Sequence, residues 1–193
     1  MPNSSATGGY LAPAPSPSQL EDDALTDFLH DWVVGISGID NANVRPRWQP
    51  EPANIPAENV NWLAFGIIRR LTDTYAAEVH NASDPGYNQT RRHEVLFLAA
   101  TFYGPNRNAY ARRLREGMQV AQNREILSLN NMGLVESGDI MTSPEQVKDK
   151  WYPGATFTFS IRRQLVSDYA VRNILSSGIE LDNVHYVETI TVI

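Results

Sequence analysis

The chain has 193 residues, 42% hydrophobic and 20% charged, which fits one soluble globular domain with extensions and a substantial core. It has no cysteine, which excludes disulfides, thiolate nucleophiles and cysteine metal sites and suits folding in a reducing cytoplasm. A formal net charge of -6 argues against a dedicated nucleic-acid binder, although an acidic total is compatible with a local basic patch.

Residues 1–17 carry Gly8, Gly9, Pro13, Pro15 and Pro17 among Ser and Ala, with Tyr10 and Leu11 as the only large apolar side chains. Such a stretch buries too little apolar surface to offset its ordering entropy, so it reads as a flexible arm with Tyr10 and Leu11 as docking points. The start MPNSSATGGY lacks the basic and apolar regions of a secretory signal. No apolar run approaches the roughly 20 residues of a membrane span.

From Ser18 to Ile193 the chain reads as a single domain. Ser18-Gln19-Leu20-Glu21 has capping-box spacing, and Leu25, Phe28, Leu29, Trp32 and Ile36 follow as one helical stripe. Asp22, Asp23 and Asp27 suit the positive end of that helix, and Gly35 or Gly38 can end it. Pro46, Pro50, Pro52 and Pro56 then exclude a long helix or central strand, leaving room for a short edge strand from Val44 to Trp48. Asn61 to Leu71 predicts a strand in which Gly66 weakens the pairing or marks a bulge, and residues 80–90 predict an exposed hairpin or loop.

Arg92 to Tyr103 predicts the strongest strand, apolar on both faces and so expected mid-sheet with something packed on each side. Gly104-Pro105 ends it, with Pro105 placed to start a helix whose face is Tyr110, Leu114, Met118 and Ala121, leaving Arg112, Arg113, Arg115 and Glu116 wet. Gly133 to Met141 is a shorter strand candidate, and Pro153-Gly154 marks a turn. Ala155 to Leu165 alternates, with Phe157, Phe159 and Ile161 on one face. His185 to Ile193 reads as a β-branched strand, whereas residues 170–182 give no clear pattern. The fold class expected is α+β, a mixed or largely antiparallel sheet flanked by helices, with Phe97, Leu98, Phe157, Phe159 and Trp32 in the core.

The residues offer little chemistry. None of His30, His80, His93 and His185 has another histidine at zinc-binding spacing, and His30–Asp31 and His80–Asp84 are explained by helix surface and loop polarity. GxSxG, GxxxxGK[ST] and GxGxxG are all absent, and the carboxylates form no acid–base pair. An enzyme and a cofactor are therefore not expected.

Arginine is the uneven feature: Arg45 and Arg47 flank Pro46, and Arg69-Arg70, Arg91-Arg92, Arg112-Arg113 and Arg162-Arg163 are doublets. Arg45, Arg47 and Trp48 could contact phosphates with an aromatic stack, the nucleic-acid-binding alternative. Arginine is equally the residue of protein interfaces, and the acidic total favours subunit contacts, with Arg45, Arg47, Trp48, Arg112 and Arg113 as candidates beside Tyr10 and Leu11.

Three segments, in order, resemble the neck-terminator or tail-terminator-like proteins of tailed bacteriophages. They are VRPRWQPEPANIPAENVNWLAFGI from Val44, RRHEVLFLAATFYGPNRNAYARRLREGMQVAQNRE from Arg91, and MGLVESGDIMTSPEQVKDKWYPGATFTFSIRRQ from Met132. The resemblance implies a structural virion protein at the head–tail junction, made in the host cytoplasm. It implies a tail-terminator-like fold and a homo-oligomeric ring, typically of six subunits. The implied partners are head-completion or connector proteins, tail tube or sheath, and genome DNA that passes without sequence-specific binding; no membrane is implied.

Overall fold

The computed structural model describes residues 8–14, 19–48, 55–83, 86–147, 149–172, 176–177 and 190–191. They fall into two compact units: a larger one of Gln19–Tyr75 and Arg92–Leu165, and a smaller one drawn from Met1–Ser18, Ala76–Arg91 and Val166–Ile193. Elements run in chain order as α1 (Asp22–Ser37), β1 (Val44–Pro46), β2 (Trp62–Thr72), β3 (Ala77–Asn81), β4 (Tyr87–Tyr103), α2 (Arg107–Gly117) and α3 (Ala121–Ser128). There follow β5 (Met132–Ser137), β6 (Met141–Thr142), β7 (Glu145–Val147), β8 (Lys150–Tyr152), β9 (Ala155–Tyr169), β10 (Ser176–Ser177) and β11 (Ile190–Thr191). The fold is α+β, as expected from the pattern.

In the larger unit the strand order is β1-β2-β4-β9-β5, with β6 also on β9. The sheet is mixed: β1 runs parallel to β2, whereas β2–β4 and β5–β9 are antiparallel. Alternation decides what is buried. Leu96, Leu98, Ala100 and Phe102 of β4 and Ala155, Phe157, Phe159 and Ile161 of β9 join Leu63 and Phe65 in one core cluster. Onto it pack Leu25, Leu29, Trp32 and Val33 of α1, Ala111 and Leu114 of α2, and Leu127 of α3. The α1 stripe thus faces the sheet as its spacing predicts, and Trp32 Nε1–H donates to Asn123 O at 2.7 Å. Gly38, at φ 69, ends α1 by donating its N–H to Val34 O.

The smaller unit contains the hairpin of β3 with the first half of β4, registered Ala77↔Arg91 to Asn81↔Tyr87, where the turn-rich composition places one. Gln89 Nε2 donates to Asp168 Oδ1 at 2.9 Å, and Ala14 N–H donates to Asp168 O at 2.6 Å. Of the C-terminal strand only Ile190–Thr191 lies within the described residues, antiparallel to Ser176–Ser177.

Several expectations are corrected. The helix begins at Asp22, not Ser18, and Ser18 lies outside the described residues. Glu21 occupies the N-cap with no capping bond, because its carboxylate is held by Arg163 instead. Pro105 sits in the turn before α2, which starts at Arg107. The single helix expected beyond it breaks after Gly117 into α2 and α3, and Ala121 is exposed at the start of α3. Arg115 is half-buried, its Nε donating to Gly138 O at 2.7 Å. β4 lies mid-sheet, but only one of its faces is fully covered: Val95 and Phe97 are half-buried, and the Arg69 guanidinium lies 5.3 Å from the Phe97 ring centre. Phe97 is therefore shallower than its strand pattern predicts, while Leu98, Phe157, Phe159 and Trp32 are buried as expected.

Gly104 shows why the β4–α2 turn needs its residue. Its φ is +96°, and a Cβ there would stand 2.4 Å from Val60 O. Gly104→Ala should cost about 1–3 kcal/mol, from strained backbone plus a clash with main chain, read as a lower urea midpoint.

Candidate functional site

The most organised polar group in the larger unit is an ion-pair cluster where the start of α1 meets the sheet. Arg163 continues the buried parity of β9, and Glu94 continues that of β4, so the two side chains meet beneath α1. Arg163 is only 3% exposed. Its Nε donates to Glu94 Oε2 at 2.7 Å, its Nη1 to Leu20 O at 2.6 Å, and its Nη2 to both Glu21 carboxylate oxygens at 2.9 Å. Thr72 Oγ1 donates to Glu94 Oε1 at 3.3 Å, and Arg70 Nη1 lies 3.5 Å from Glu21 and 3.8 Å from Glu94. Two cations face two anions, and the three guanidinium nitrogens, each on a different partner, fix the residues that lead into α1 on the sheet.

Beside this cluster a groove of about 530 Å³ is lined by Asp22, Asp23 and Thr26 of α1, by Arg47 and Trp48, and by Gly66 to Arg70 of β2. Trp48 is exposed but seated: a Cβ on Gly66 would come 3.1 Å from its ring, so the missing side chain makes its place. The register shift in β2 comes at Ile68, two residues after the glycine proposed to mark it. Arg47 Nη1 donates to Thr101 Oγ1 at 3.1 Å, and Arg45 lies 5.9 Å from the Trp62 ring centre. The sequence candidates Arg45, Arg47 and Trp48 are thus grouped along β1 and β2, with both arginines already engaged.

A second hollow, about 260 Å³, is lined by Trp62, Tyr103, Trp151, Tyr152, Pro56 and Pro105 among others. Trp62 and Tyr103 stack at 4.1 Å. Burial, then hydrogen bonding to Glu145, pushes the Tyr103 phenol well above tyrosine's ordinary 10.0, with Arg47 opposing weakly. The folded chain therefore holds this proton more tightly than the unfolded one. Tyr103 contributes stability below pH 10 that is lost as pH rises toward its raised value. In an alkaline absorbance titration of native protein, Tyr103→Phe should match wild type through pH 10–11, since this phenol does not ionise there.

The remaining candidates lie apart. Arg112 and Arg113 are exposed on α2; Arg113 donates to Ser37 O at 3.4 Å and lies 5.4 Å from the Tyr110 ring centre. Tyr10 is exposed and Leu11 half-buried, both in the smaller unit. His30 has both ring nitrogens engaged, by Asp31 at 3.3 Å and Val44 O at 3.1 Å; His80 contacts Asn88 at 2.5 Å, and Asp84 lies outside the described residues. Among the described residues no group of three or more His, Asp or Glu could hold a metal ion, and no helix is long and apolar enough to cross a membrane.

The larger unit is thus an α+β domain in which buried ion pairs fasten the start of α1 to the sheet, and Trp48, Ile68 and Val135 are among its exposed apolar side chains. The sequence model of the phage neck terminator proteins matches residues 23–189, and the chain belongs to that family. Comparison with curated proteins found no match. The family places the chain among the structural proteins of the bacteriophage virion, at the neck between head and tail.

Proposed function

We propose that the chain is a subunit of a homo-oligomeric ring, typically of six copies, that joins head-completion or connector proteins to the tail tube or sheath while genome DNA passes through its channel. The family match across residues 23–189 carries this reading. In it the chain has no catalytic activity and needs no cofactor. Residues 1–17 act as an arm that docks through Tyr10 and Leu11 on neighbouring chains, and residues 18–193 form the ring domain.

Engagement within the chain counts against phosphate binding by the Arg45 and Arg47 group. Arg45, Arg47, Arg70 and Arg163 already face aromatic, hydroxyl or carboxylate groups, which leaves them little freedom to grip a backbone. Arg112 is exposed with no partner among the described residues, and it and Arg113 are offered to a neighbouring subunit. A channel wall poor in free arginine lets DNA slide, because each phosphate–cation contact made must later be broken.

Mass photometry with and without duplex DNA tests the proposal, together with a virion reconstruction. Rings that form without DNA, with density for this chain around the tail axis, are expected. A monomer that binds duplex DNA, with affinity falling steeply in salt, would replace this reading by the nucleic-acid one. Particles lacking residues 1–17 should attach tails poorly; normal attachment would show that the arm is dispensable.

A further inference from the structure

The two outer margins of the larger unit's sheet share an unusual device. On one side β1 covers only Leu63 to Phe65 of β2, so among the described residues the outer edge from Gly66 to Thr72 pairs with nothing. On the other side β5 ends the strand order. Each of these outer strands carries a register shift against its inner neighbour, between Ile67 and Arg69 of β2 on β4 and between Leu134 and Glu136 of β5 on β9. In each the skipped residue is an exposed aliphatic: Ile68 is 46% and Val135 56% exposed.

A bulge breaks the backbone ladder and re-aims one side chain. Sheet edges are guarded against stray pairing by such bulges, by charged side chains or by proline. Here both bulges present an apolar residue, with more apolar surface beside it. Leu71 is 49% exposed on β2, and Leu129 is 83% exposed just past α3, the helix that packs on β5. The charges beside the two bulges are opposite. Exposed Arg69 follows Ile68, and exposed Glu136, with no ion partner among the described residues, follows Val135.

We propose that these two margins are the two halves of one interface between copies of this chain: the β2 margin of one copy packs against the β5 margin of the next. Ile68 and Leu71 meet Val135 and Leu129, and Arg69 pairs with Glu136. The contact is made by side chains across the two bulges, not by a continuous ladder. A second copy is the occupant because the complementary charges and apolar residues belong to the two different margins of the same chain. Packing β2 against β2 would set Arg69 against Arg69, so the contact is head-to-tail, the kind that closes into rings. The inference rests on the ring reading and names the surface that builds the ring.

The natural absence of cysteine allows a direct test. Ile68→Cys and Val135→Cys are introduced singly and together in the full chain, and assembled protein is treated with a short bis-maleimide. The double variant should give a ladder of covalent oligomers ending at the ring. A mixture of the two single variants should stop at dimers, and neither single variant alone should cross-link. Cross-linking by Ile68→Cys alone would overturn the proposal in favour of a two-fold contact. Rings seen by mass photometry without any ladder would overturn the margin pairing and leave the ring reading standing. Absence of rings in solution and in tailed particles would remove both. As a second measurement, Arg69→Glu and Glu136→Arg should each lower ring formation at least tenfold, and their combination should restore it. Equal loss in single and double variants, with folding intact by circular dichroism, would also overturn it.

Discussion

Arg163→Met should destabilise the chain by about 3–5 kcal/mol, even though methionine fills much of the same volume and is more apolar. The loss comes from what the guanidinium leaves behind. Glu94 is 5% exposed, and without Arg163 its nearest cation is Arg70 at 3.8 Å, a marginal contact to a side chain more than a third exposed. Leu20 O loses its donor and the Glu21 carboxylate keeps only Arg70 at 3.5 Å, so the start of α1 loses most of its fastening to the sheet. Chemical denaturation gives the magnitude, and the companion variant gives the cause. Arg163→Met combined with Glu94→Leu should recover most of the stability, because replacing both partners of a buried pair by apolar groups is often close to neutral. Equal instability in the single and double variants would mean that the bonds to Leu20 and Glu21 dominate. High salt should change little, since ions screen a buried pair weakly.

That cluster also marks where the sequence could have said more. Glu94 falls on the same parity as Leu96, Leu98, Ala100 and Phe102, and Arg163 on the same parity as Phe157, Phe159 and Ile161. A carboxylate and an arginine that each continue the buried register of a strand are expected to pair. Counting arginines as doublets hid this, because neighbours on a strand point to opposite faces: Arg163 is buried while Arg162 is exposed. Elements with strong periodicity were legible, namely the α1 stripe with its Gly38 stop, the β4 strand, and the alternation of β9. The start of α1 was not, because a remote arginine claims the Glu21 that a capping box would use. The break between α2 and α3 and the short β7–β8 pair were missed for another reason. Over three to eight residues, pattern cannot compete with tertiary contacts such as those that bury Met118 and Leu127. As for the proposed assembly surface, a single sequence carries no sign of which strands are outermost, so Ile68 and Val135 read as ordinary strand residues.

The contrast between two phenylalanines on neighbouring strands tests the account of the sheet's faces. Phe157→Ala should cost about 3–5 kcal/mol, because its ring is fully buried and removal leaves a cavity that the rigid sheet cannot close. Its ring stacks near-parallel on Phe102 at 6.2 Å and tilts against Phe159 at 5.9 Å, so two further rings lose a partner. For a chain of this size the loss corresponds to a fall in Tm on the order of 10 °C. Phe97→Ala should cost distinctly less in the isolated chain, since water already reaches that ring and only the Arg69 contact and part of its burial are lost. Thermal unfolding of both variants in parallel separates the two faces: equal falls in Tm would mean that Phe97 is as deeply covered as Phe157. The order should narrow on assembly. Phe97 lies one strand in from the β2 margin, beneath Arg69, and the proposed interface there would remove water from its open face. Phe97→Ala should then weaken ring formation beyond its effect on folding, whereas Phe157→Ala should lower the stability of the isolated chain and of the ring alike.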